Sequence, residues 1–210
     1  MSILLAALLG YLLGAIPFGL IIGRLTRGID IRQYGSHRTG ATNALRTLGT
    51  RAAAAVFVLD VAKGATAVLV ARLVFSADPL VEWGAAAAGF AAIVGHNWSV
   101  FIGFTGGRGV ATSAGALGAM SIWALLILAP IVVLVIWRTR YVSLGSISGG
   151  LAAPVITTVL AATGAATVPA IGYALASGLL VTAAHADNIG RLRAGTERKV
   201  GQKEQVSPGG

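Results

Sequence analysis

The chain has 210 residues, of which 56% are hydrophobic and only 11% are charged, and its mean hydropathy is +0.81. Soluble domains carry about 25% charged residues, so this composition excludes an ordinary soluble domain and predicts an integral membrane protein. The absence of cysteine excludes disulfides and thiolate nucleophiles, and continuous apolar runs without alternation at every second residue disfavour a membrane β-barrel.

In chain order, the apolar runs predict an all-α integral membrane protein, a bundle of seven transmembrane helices of which some are short or broken. The predicted helices cover residues 3–23, 52–75, 83–101, 110–120, 122–137, 143–162 and 168–185. Pro17 and Gly19 are expected to kink the first helix near its inner end. A single membrane-embedded domain then covers residues 1–201, and the polar residues 202–210 are predicted to form a disordered cytoplasmic tail.

The segment 110–137 admits two interpretations. A continuous helix of this length would be about 42 Å long, too long for one hydrocarbon core of about 30 Å and short for two full crossings. Because both flanks are basic and belong on the same side, we expect two helices joined by a turn. If the segment is instead re-entrant, five true spans remain and every polar loop keeps its side.

Basic residues predict the orientation of the bundle. They are concentrated in residues 24–51, at Arg108, at 138–140 and in the tail, whereas residues 76–83 and 164–168 hold none. By the positive-inside rule the basic loops are cytoplasmic, which puts the N-terminus outside and the C-terminus inside. This distribution accounts for the net charge of +9, so no nucleic-acid partner is expected.

Three polar segments emerge on this cytoplasmic side, and the first is residues 35–46. It supplies donors suited to a phosphate, because arginine binds phosphate in a bidentate fork. The alternative is a solvated basic loop in which Thr42 or Asn43 caps the second helix. The phosphate interpretation is favoured because topology alone does not require these residue types: Ser36, Arg38, Gly40, Thr42, Asn43 and Arg46.

The second polar segment is a glycine-rich turn that carries Arg108. Backbone N–H groups of Gly106, Gly107 and Gly109 can approach a phosphate closely, and a following helix would add its positive N-terminal end. A tight membrane turn with Arg108 as an interfacial anchor is an equal alternative. His96, near the end of the preceding helix, is interpreted as a supporting residue.

The third polar segment is residues 185–199. If the last helix continues past its apolar run, His185 and Asn188 stand one turn apart and point at one ligand. Within the second helix, Asp60 and Lys63 share a face, and a mutual ion pair is favoured over a proton pathway. No P-loop, G-x-S-x-G or H-x-x-x-x-D motif is present, and the scattered histidines predict no metal site.

Together, the three segments resemble the bacterial membrane-integral acyl-phosphate:glycerol-3-phosphate acyltransferases. That family's patterns are similar to G-S-G-N-x-G-x-T-N-x-x-R, G-H followed by F-K-G-G-K-G-V-A-T, and H-R-x-N-I-x-R-L-x-x-G-x-E-x-K. The chain departs from them at five positions: His37, Arg38, Thr105, Arg108 and Ala186. Arg108 preserves the positive charge of the family's lysine, and Arg38 is a candidate to replace the charge missing at Thr105 or Ala186.

The resemblance implies that a fatty acyl group passes from acyl phosphate to the 1-hydroxyl of sn-glycerol 3-phosphate, without a cofactor, at the cytoplasmic side of the bacterial plasma (inner) membrane. The products would be lysophosphatidic acid and phosphate. The lipid bilayer is an implied partner, and no obligate protein partner is. The implied catalytic residues are Ser36, His185 and Asn188; the implied phosphate-binding residues are Arg46, Arg108, Thr42, Asn43, Gly40, Gly106, Gly107 and Gly109; Arg38, His96 and Glu197 are implied supporting residues.

A transporter of an organic phosphate is the alternative function. It would use the same basic loops as a cytoplasmic gate. The two halves of the chain show no matching broken helices, and the outer loops lack basic residues, so both observations favour the enzyme.

Overall fold

The computed structural model describes residues 1–202, so the predicted disordered tail lies outside the described residues from residue 203 onward. The described chain is helical, with short 3-10 turns at Ile31–Gln33 and Val100–Ile102. Its α-helices are α1 (Ser2–Gly14), α2 (Phe18–Arg27), α3 (Ala41–Thr47), α4 (Thr50–Val74), α5 (Val81–Asn97), α6 (Val110–Met120), α7 (Ile122–Thr139), α8 (Val142–Ala162), α9 (Val168–Ala184) and α10 (Ala186–Arg193).

The prediction of an all-helical integral membrane protein is confirmed. Within residues 1–202, four helical stretches are long and apolar enough to cross a membrane: Ser2–Arg27, Thr50–Val74, Ile122–Thr139 and Val142–Ala162. α9 and α10 form a fifth candidate span when they are taken as one pair bent by 57°. α6, with 11 residues, is about 16 Å long and reaches through only about half of a hydrocarbon core.

The boundary between α6 and α7 lies at Ser121, where the sequence predicts a turn. Ser121 has extended backbone geometry, and its hydroxyl accepts a hydrogen bond from Ala124 N at 3.3 Å, which caps the first turn of α7. The same hydroxyl donates to Ala165 O at 3.1 Å, which attaches this turn to the loop before α9. A polar cap therefore divides the long apolar segment into two helices.

The first predicted helix is broken rather than kinked, because proline has no N–H to continue the hydrogen-bond ladder. α1 ends at Gly14, Pro17 precedes α2, and α2 begins at Phe18. Lys63 of α4 reaches this break, and its Nζ donates to Ile16 O at 2.9 Å. A backbone carbonyl that the break leaves without a helical partner is thus satisfied by a buried ammonium.

Small residues allow the helices around α5 to approach closely. A Cβ added at Gly10 or Gly14 of α1 would collide with the backbone of Ala88 or Ala92 of α5. The main core cluster is likewise rich in alanine, and Ala85 and Ala88 are fully buried. Interfaces of this type are common between membrane helices, since close backbone packing replaces the hydrophobic driving force that lipid removes.

The ion pair expected inside the second predicted helix is present. Lys63 Nζ lies 2.9 Å from Asp60 Oδ1, and both side chains are almost completely buried. At the opposite end of α4, Arg72 binds Glu82 through Nε at 2.9 Å and Nη2 at 2.7 Å, with both side chains partly exposed. Arg72 is a basic residue at the end of α4 where the sequence predicts a loop without basic residues, and Glu82 neutralises it.

We expect Lys63→Met to lower the free energy of unfolding by about 3–5 kcal/mol, because it leaves the Asp60 carboxylate buried without its ammonium. The double variant Lys63→Met/Asp60→Asn should recover most of that loss, since it removes both charges. The measurement is thermal denaturation in detergent.

Glu82→Gln is the matched control, because it removes one charge of a partly exposed pair while Arg72 keeps its hydrogen bond to Ala119 O, so it should cost only about 1 kcal/mol. An equal loss in both single variants, or no recovery in the double variant, would show that burial of the Lys63–Asp60 pair does not determine this cost.

Candidate active site

The three polar segments converge on one cavity of about 690 Å³. One end of the cavity is polar, and the other runs between α6, α7, α8 and α9. The apolar end is lined by residues that include Leu117, Leu125, Leu128, Val132, Ile136 and Ala153. A single space therefore joins a cationic region to a region suited to an aliphatic chain.

Nearly all of the predicted site residues line this cavity. They are Ser36, Arg38, Gly40, Thr42, Asn43, Arg46, His96, Gly107, Arg108, Gly109, His185, Asn188 and Glu197. Gly106 is not in the cavity wall. It packs against the backbone of His96 and Asn97, and its carbonyl accepts a hydrogen bond from Thr39 N at 3.4 Å. Gly106 thus joins the glycine turn to the first polar segment.

Asn43 organises the first polar segment from within. Its Nδ2 donates to the carbonyls of Ile31 at 2.8 Å, Tyr34 at 3.1 Å and Arg38 at 2.8 Å, and its Oδ1 accepts from Ser36 N at 2.9 Å. The side chain is 1% exposed. Because all of these partners belong to the loop backbone, Asn43 positions the segment.

The first segment contains a helix, α3, that the sequence analysis missed. Thr42 and Arg46 lie one turn apart on α3 and both line the cavity. The alternative in which Thr42 or Asn43 caps the next helix is wrong, because α4 begins after Gly49 without a side-chain cap. Gly49 has a φ of 94°, a backbone conformation that favours glycine and allows the chain to turn between α3 and α4.

The glycine turn packs on the end of α5 and leads directly into α6. A Cβ on Gly107 would collide with the His96 ring at Nε2, so glycine is required for this contact. His96 Nδ1 in turn lies 3.4 Å from Asp60 Oδ1. Gly109, with a φ of 74°, precedes the first residue of α6, Val110, so the predicted helix N-terminus does follow the turn.

Arg108 connects the glycine turn to the third polar segment. Its Nε donates to Ala184 O at 3.1 Å and its Nη2 to Asp187 Oδ2 at 2.7 Å. Arg38 and Arg191 lie close enough to repel its charge. Arg38, one of the five positions at which the chain departs from the three motifs, therefore adds positive charge near Arg108.

The third segment bends at His185 rather than continuing as a straight helix, because the His185 N–H bonds to Thr182 O in a tightened last turn. The premise that His185 and Asn188 share one continuous helix is thus wrong, although both line the cavity. His185 Nδ1 lies 2.7 Å from Val181 O. Since a carbonyl only accepts, Nδ1 carries a proton, and in the neutral ring Nε2 keeps its lone pair.

Glu197 is the most thoroughly hydrogen-bonded carboxylate of the site. Its Oε1 accepts from Asn188 Nδ2 at 2.6 Å and Ser143 Oγ at 2.8 Å, and its Oε2 accepts from Arg191 Nε at 2.8 Å. Burial alone would raise the pKa of Glu197, but the hydrogen bonds from Asn188, Arg191 and Ser143 outweigh it and lower that pKa. Asn188 Oδ1 is buried without a hydrogen-bond partner in the described part of the chain.

Sequence reasoning missed three residues of this network, namely Ser143, Asp187 and Arg191. Asp187 and Arg191 lie within the third segment at a spacing of four, a signal that could have selected them. Ser143 lies at the start of α8, far along the chain from its partner Glu197, and no local pattern marks it.

We expect Glu197→Gln to cost about 2 kcal/mol of stability near neutral pH, because a buried, charged acceptor is lost. The contribution of Glu197 in the native chain is fully present above its usual pKa of 4.5 and disappears as pH falls through its lowered folded-state pKa. Thermal denaturation from pH 7 down to pH 3 should therefore show the difference between native chain and variant narrowing with acid. A difference that stays constant across this range would contradict the assignment.

The family model for glycerol-3-phosphate acyltransferase matches residues 4–195. The chain is 45% identical to the glycerol-3-phosphate acyltransferase of Synechococcus sp. (strain JA-3-3Ab), over 99% of this chain and 98% of that relative. It is 44% identical to the enzyme of the same name from Thermoanaerobacter sp. (strain X514), over 98% of this chain and 100% of that relative.

Two solved structures have the same fold. A crystal structure of PlsY (YgiH), an integral membrane glycerol 3-phosphate acyltransferase, in its glycerol 3-phosphate form matches with a TM-score of 0.84 and 37% identity, over 96% of each chain. The lysophosphatidic acid form matches with a TM-score of 0.83 and 36% identity, again over 96% of each chain. The resemblance inferred from the three motifs is confirmed, and the chain belongs to the PlsY-type glycerol-3-phosphate acyltransferase family of integral membrane enzymes.

Proposed function

We propose that this glycerol-3-phosphate acyltransferase takes its acyl group from an acyl phosphate and joins it to the 1-hydroxyl of sn-glycerol 3-phosphate. The products are 1-acyl-glycerol 3-phosphate, which is lysophosphatidic acid, and inorganic phosphate. The observation that carries this proposal is the single cavity with an arginine-lined end and an apolar end. An acyl phosphate needs the arginine-lined end for its phosphate and the apolar end for its fatty chain. Glycerol 3-phosphate brings a second phosphate to the arginine-lined end.

Arginines bind the phosphates in this mechanism. Arg46 of α3 and Arg108 of the glycine turn both line the polar end, and guanidinium groups bind phosphate through paired hydrogen bonds. The N-terminus of α6 directly after Gly109 adds positive potential at the same place. The relative of known structure whose form contains glycerol 3-phosphate supports a site for that substrate in this fold.

The reaction itself requires positioning and charge stabilisation. The glycerol oxygen attacks the acyl carbon, the bond from that carbon to the phosphate oxygen breaks, and phosphate leaves with the bonding electrons. The backbone N–H of Ser36 is held by Asn43 Oδ1. The Ser36 hydroxyl donates a hydrogen bond to the acyl oxygen, on which negative charge develops. Asn188, which lines the same cavity and whose Nδ2 is held by Glu197, orients the glycerol.

Two groups can take the proton of the attacking hydroxyl. His185 Nε2 carries a lone pair, because Nδ1 donates to Val181 O. A phosphate oxygen of the donor can take the same proton, since the leaving phosphate gains negative charge as the bond breaks. No coenzyme or metal enters either route.

The acyl chain lies at the apolar end, between the helices. Gly150 of α8 and Gly178 of α9 pack closely against each other, and both line the cavity together with Leu128 and Val132 of α7. The fatty acyl chain is thereby held between the membrane helices, while the phosphate of the acyl phosphate reaches the polar end of the cavity.

We further propose seven membrane spans, with the N-terminus outside and the C-terminus and active site on the cytoplasmic side of the bacterial plasma membrane. If α6 and α7 form a re-entrant unit, five spans remain with the same sidedness. The support is electrostatic: the basic segments meet at the cavity, whereas Arg72 at the opposite end of α4 is neutralised by Glu82. One domain, residues 1–201, contains both ends of the cavity.

The test uses purified full-length protein, labelled glycerol 3-phosphate and palmitoyl phosphate. We expect labelled lysophosphatidic acid, and no product when palmitoyl-coenzyme A replaces the acyl phosphate. Arg108→Ala should raise the KM for a phosphate-bearing substrate roughly 10- to 100-fold, because charge-assisted hydrogen bonds are lost. Arg193→Ala, which changes an exposed arginine outside the cavity wall, is the control. No product with any acyl phosphate would overturn the proposal and favour transport.

His185→Ala decides between the two proton acceptors. If His185 Nε2 is the base, kcat should fall roughly 10²- to 10⁴-fold with little change in either KM. Near-normal turnover with palmitoyl phosphate would exclude the protein base and leave the donor phosphate as the acceptor.

A further inference from the structure

Asp187 occupies an unusual position for a carboxylate, between two arginines at the polar end of the cavity. Its Oδ2 lies 2.7 Å from Arg108 Nη2 and 3.3 Å from Arg191 Nη2. Asp187 itself lines the cavity. An anion is therefore already paired with the guanidinium that is proposed to bind a phosphate.

The second carboxylate of this region, Glu197, is held quite differently. Its side chain is 5% exposed and it accepts hydrogen bonds from three side chains, so its loss would leave several donors unpaired. The Asp187 side chain is 45% exposed, and its contacts among the described residues are the two guanidiniums. Glu197 is fixed within the protein, whereas Asp187 can swing toward solvent without leaving an unpaired buried donor.

The guanidinium of Arg108 has a second, independent anchor. Its Nε donates to Ala184 O, and its side chain is 16% exposed, so the arginine stays in place when Asp187 moves. The Nη2 group, which faces Asp187, is then available to an incoming anion. A dianionic phosphate binds such a group more strongly than a single carboxylate does.

We propose that Asp187 is a built-in competitor of the phosphate at Arg108 and thereby sets the affinity of the enzyme for its phosphate-bearing substrate. This proposal rests on the proposed role of Arg108 as a phosphate ligand. Asp187 neutralises Arg108 and limits the repulsion among Arg38, Arg108 and Arg191. The phosphate displaces it on binding, and Asp187 pairs with Arg108 again after the product leaves.

The test is steady-state kinetics of the full-length enzyme carrying Asp187→Asn. Asparagine keeps the shape and an acceptor oxygen but removes the charge. Exposed ion pairs of this kind are weak, so we expect the KM for one of the two phosphate-bearing substrates to fall roughly 2- to 5-fold. The inhibition constant of inorganic phosphate should fall by a similar factor, while kcat stays within about twofold. Asp187→Ala should change these constants in the same direction, because the removed charge is the same.

Glu82→Gln is the matched control, since it removes one carboxylate paired with an arginine at the opposite end of the bundle. An unchanged or raised KM for both substrates in Asp187→Asn would overturn the proposal. A KM that rises in Asp187→Ala but not in Asp187→Asn would also overturn the proposal, since Asp187 would then only orient Arg108. Arg108→Ala, measured in parallel, distinguishes the failure of the proposed role of Arg108 from the failure of the proposed role of Asp187. An unchanged KM in Arg108→Ala would refute the phosphate role of Arg108. A raised KM in Arg108→Ala together with an unchanged KM in Asp187→Asn would refute only the competition by Asp187.

Discussion

The ion pair of Lys63 with Asp60 connects α4 with the break between α1 and α2 and with the end of α5. Two opposite charges buried in an apolar bundle must satisfy one another, and here they also satisfy neighbours. Lys63 holds the carbonyl exposed by the break between α1 and α2, and Asp60 contacts His96. His96 in turn packs against Gly107. A pair deep in α4 thus supports the glycine turn at the cavity.

The polar end of the cavity is organised by a few side chains that bond to backbone rather than to substrate. Asn43 gathers three carbonyls and one N–H of the first segment, and the glycine turn seats on the end of α5. This arrangement gives buried irregular backbone the hydrogen bonds that it needs. Such supporting contacts hold the loop that carries Ser36 and the turn that carries Arg108 in fixed positions, as a functional site requires.

The two carboxylates near the arginines differ in burial, since the Glu197 side chain is almost fully buried and the Asp187 side chain is about half exposed. Among the described residues, the three arginines Arg38, Arg108 and Arg191 lie near the carboxylates of Asp187 and Glu197, so this region keeps a positive balance that suits phosphates. Glu197 is locked by its three partners, and Asp187 is not. The apolar end begins within the same space, which is why one cavity can hold a phosphate and a fatty chain together.

Hydrophobic runs and the distribution of charge were enough to predict the membrane class, the positions of most helices and the three segments that meet at the cavity. The division of residues 110–137 could be predicted from the length of the segment and its two basic flanks, and the structure places the boundary at Ser121. The tertiary structure alone decided the break before α2, the short helix α3, the bend at His185 and the partners of Asn43 and Glu197. Each of these depends on which buried donor meets which acceptor, and the partners of Glu197 include Ser143, 54 residues away in the chain. Local propensity carries no information about such encounters, because only the packed bundle brings the two groups together.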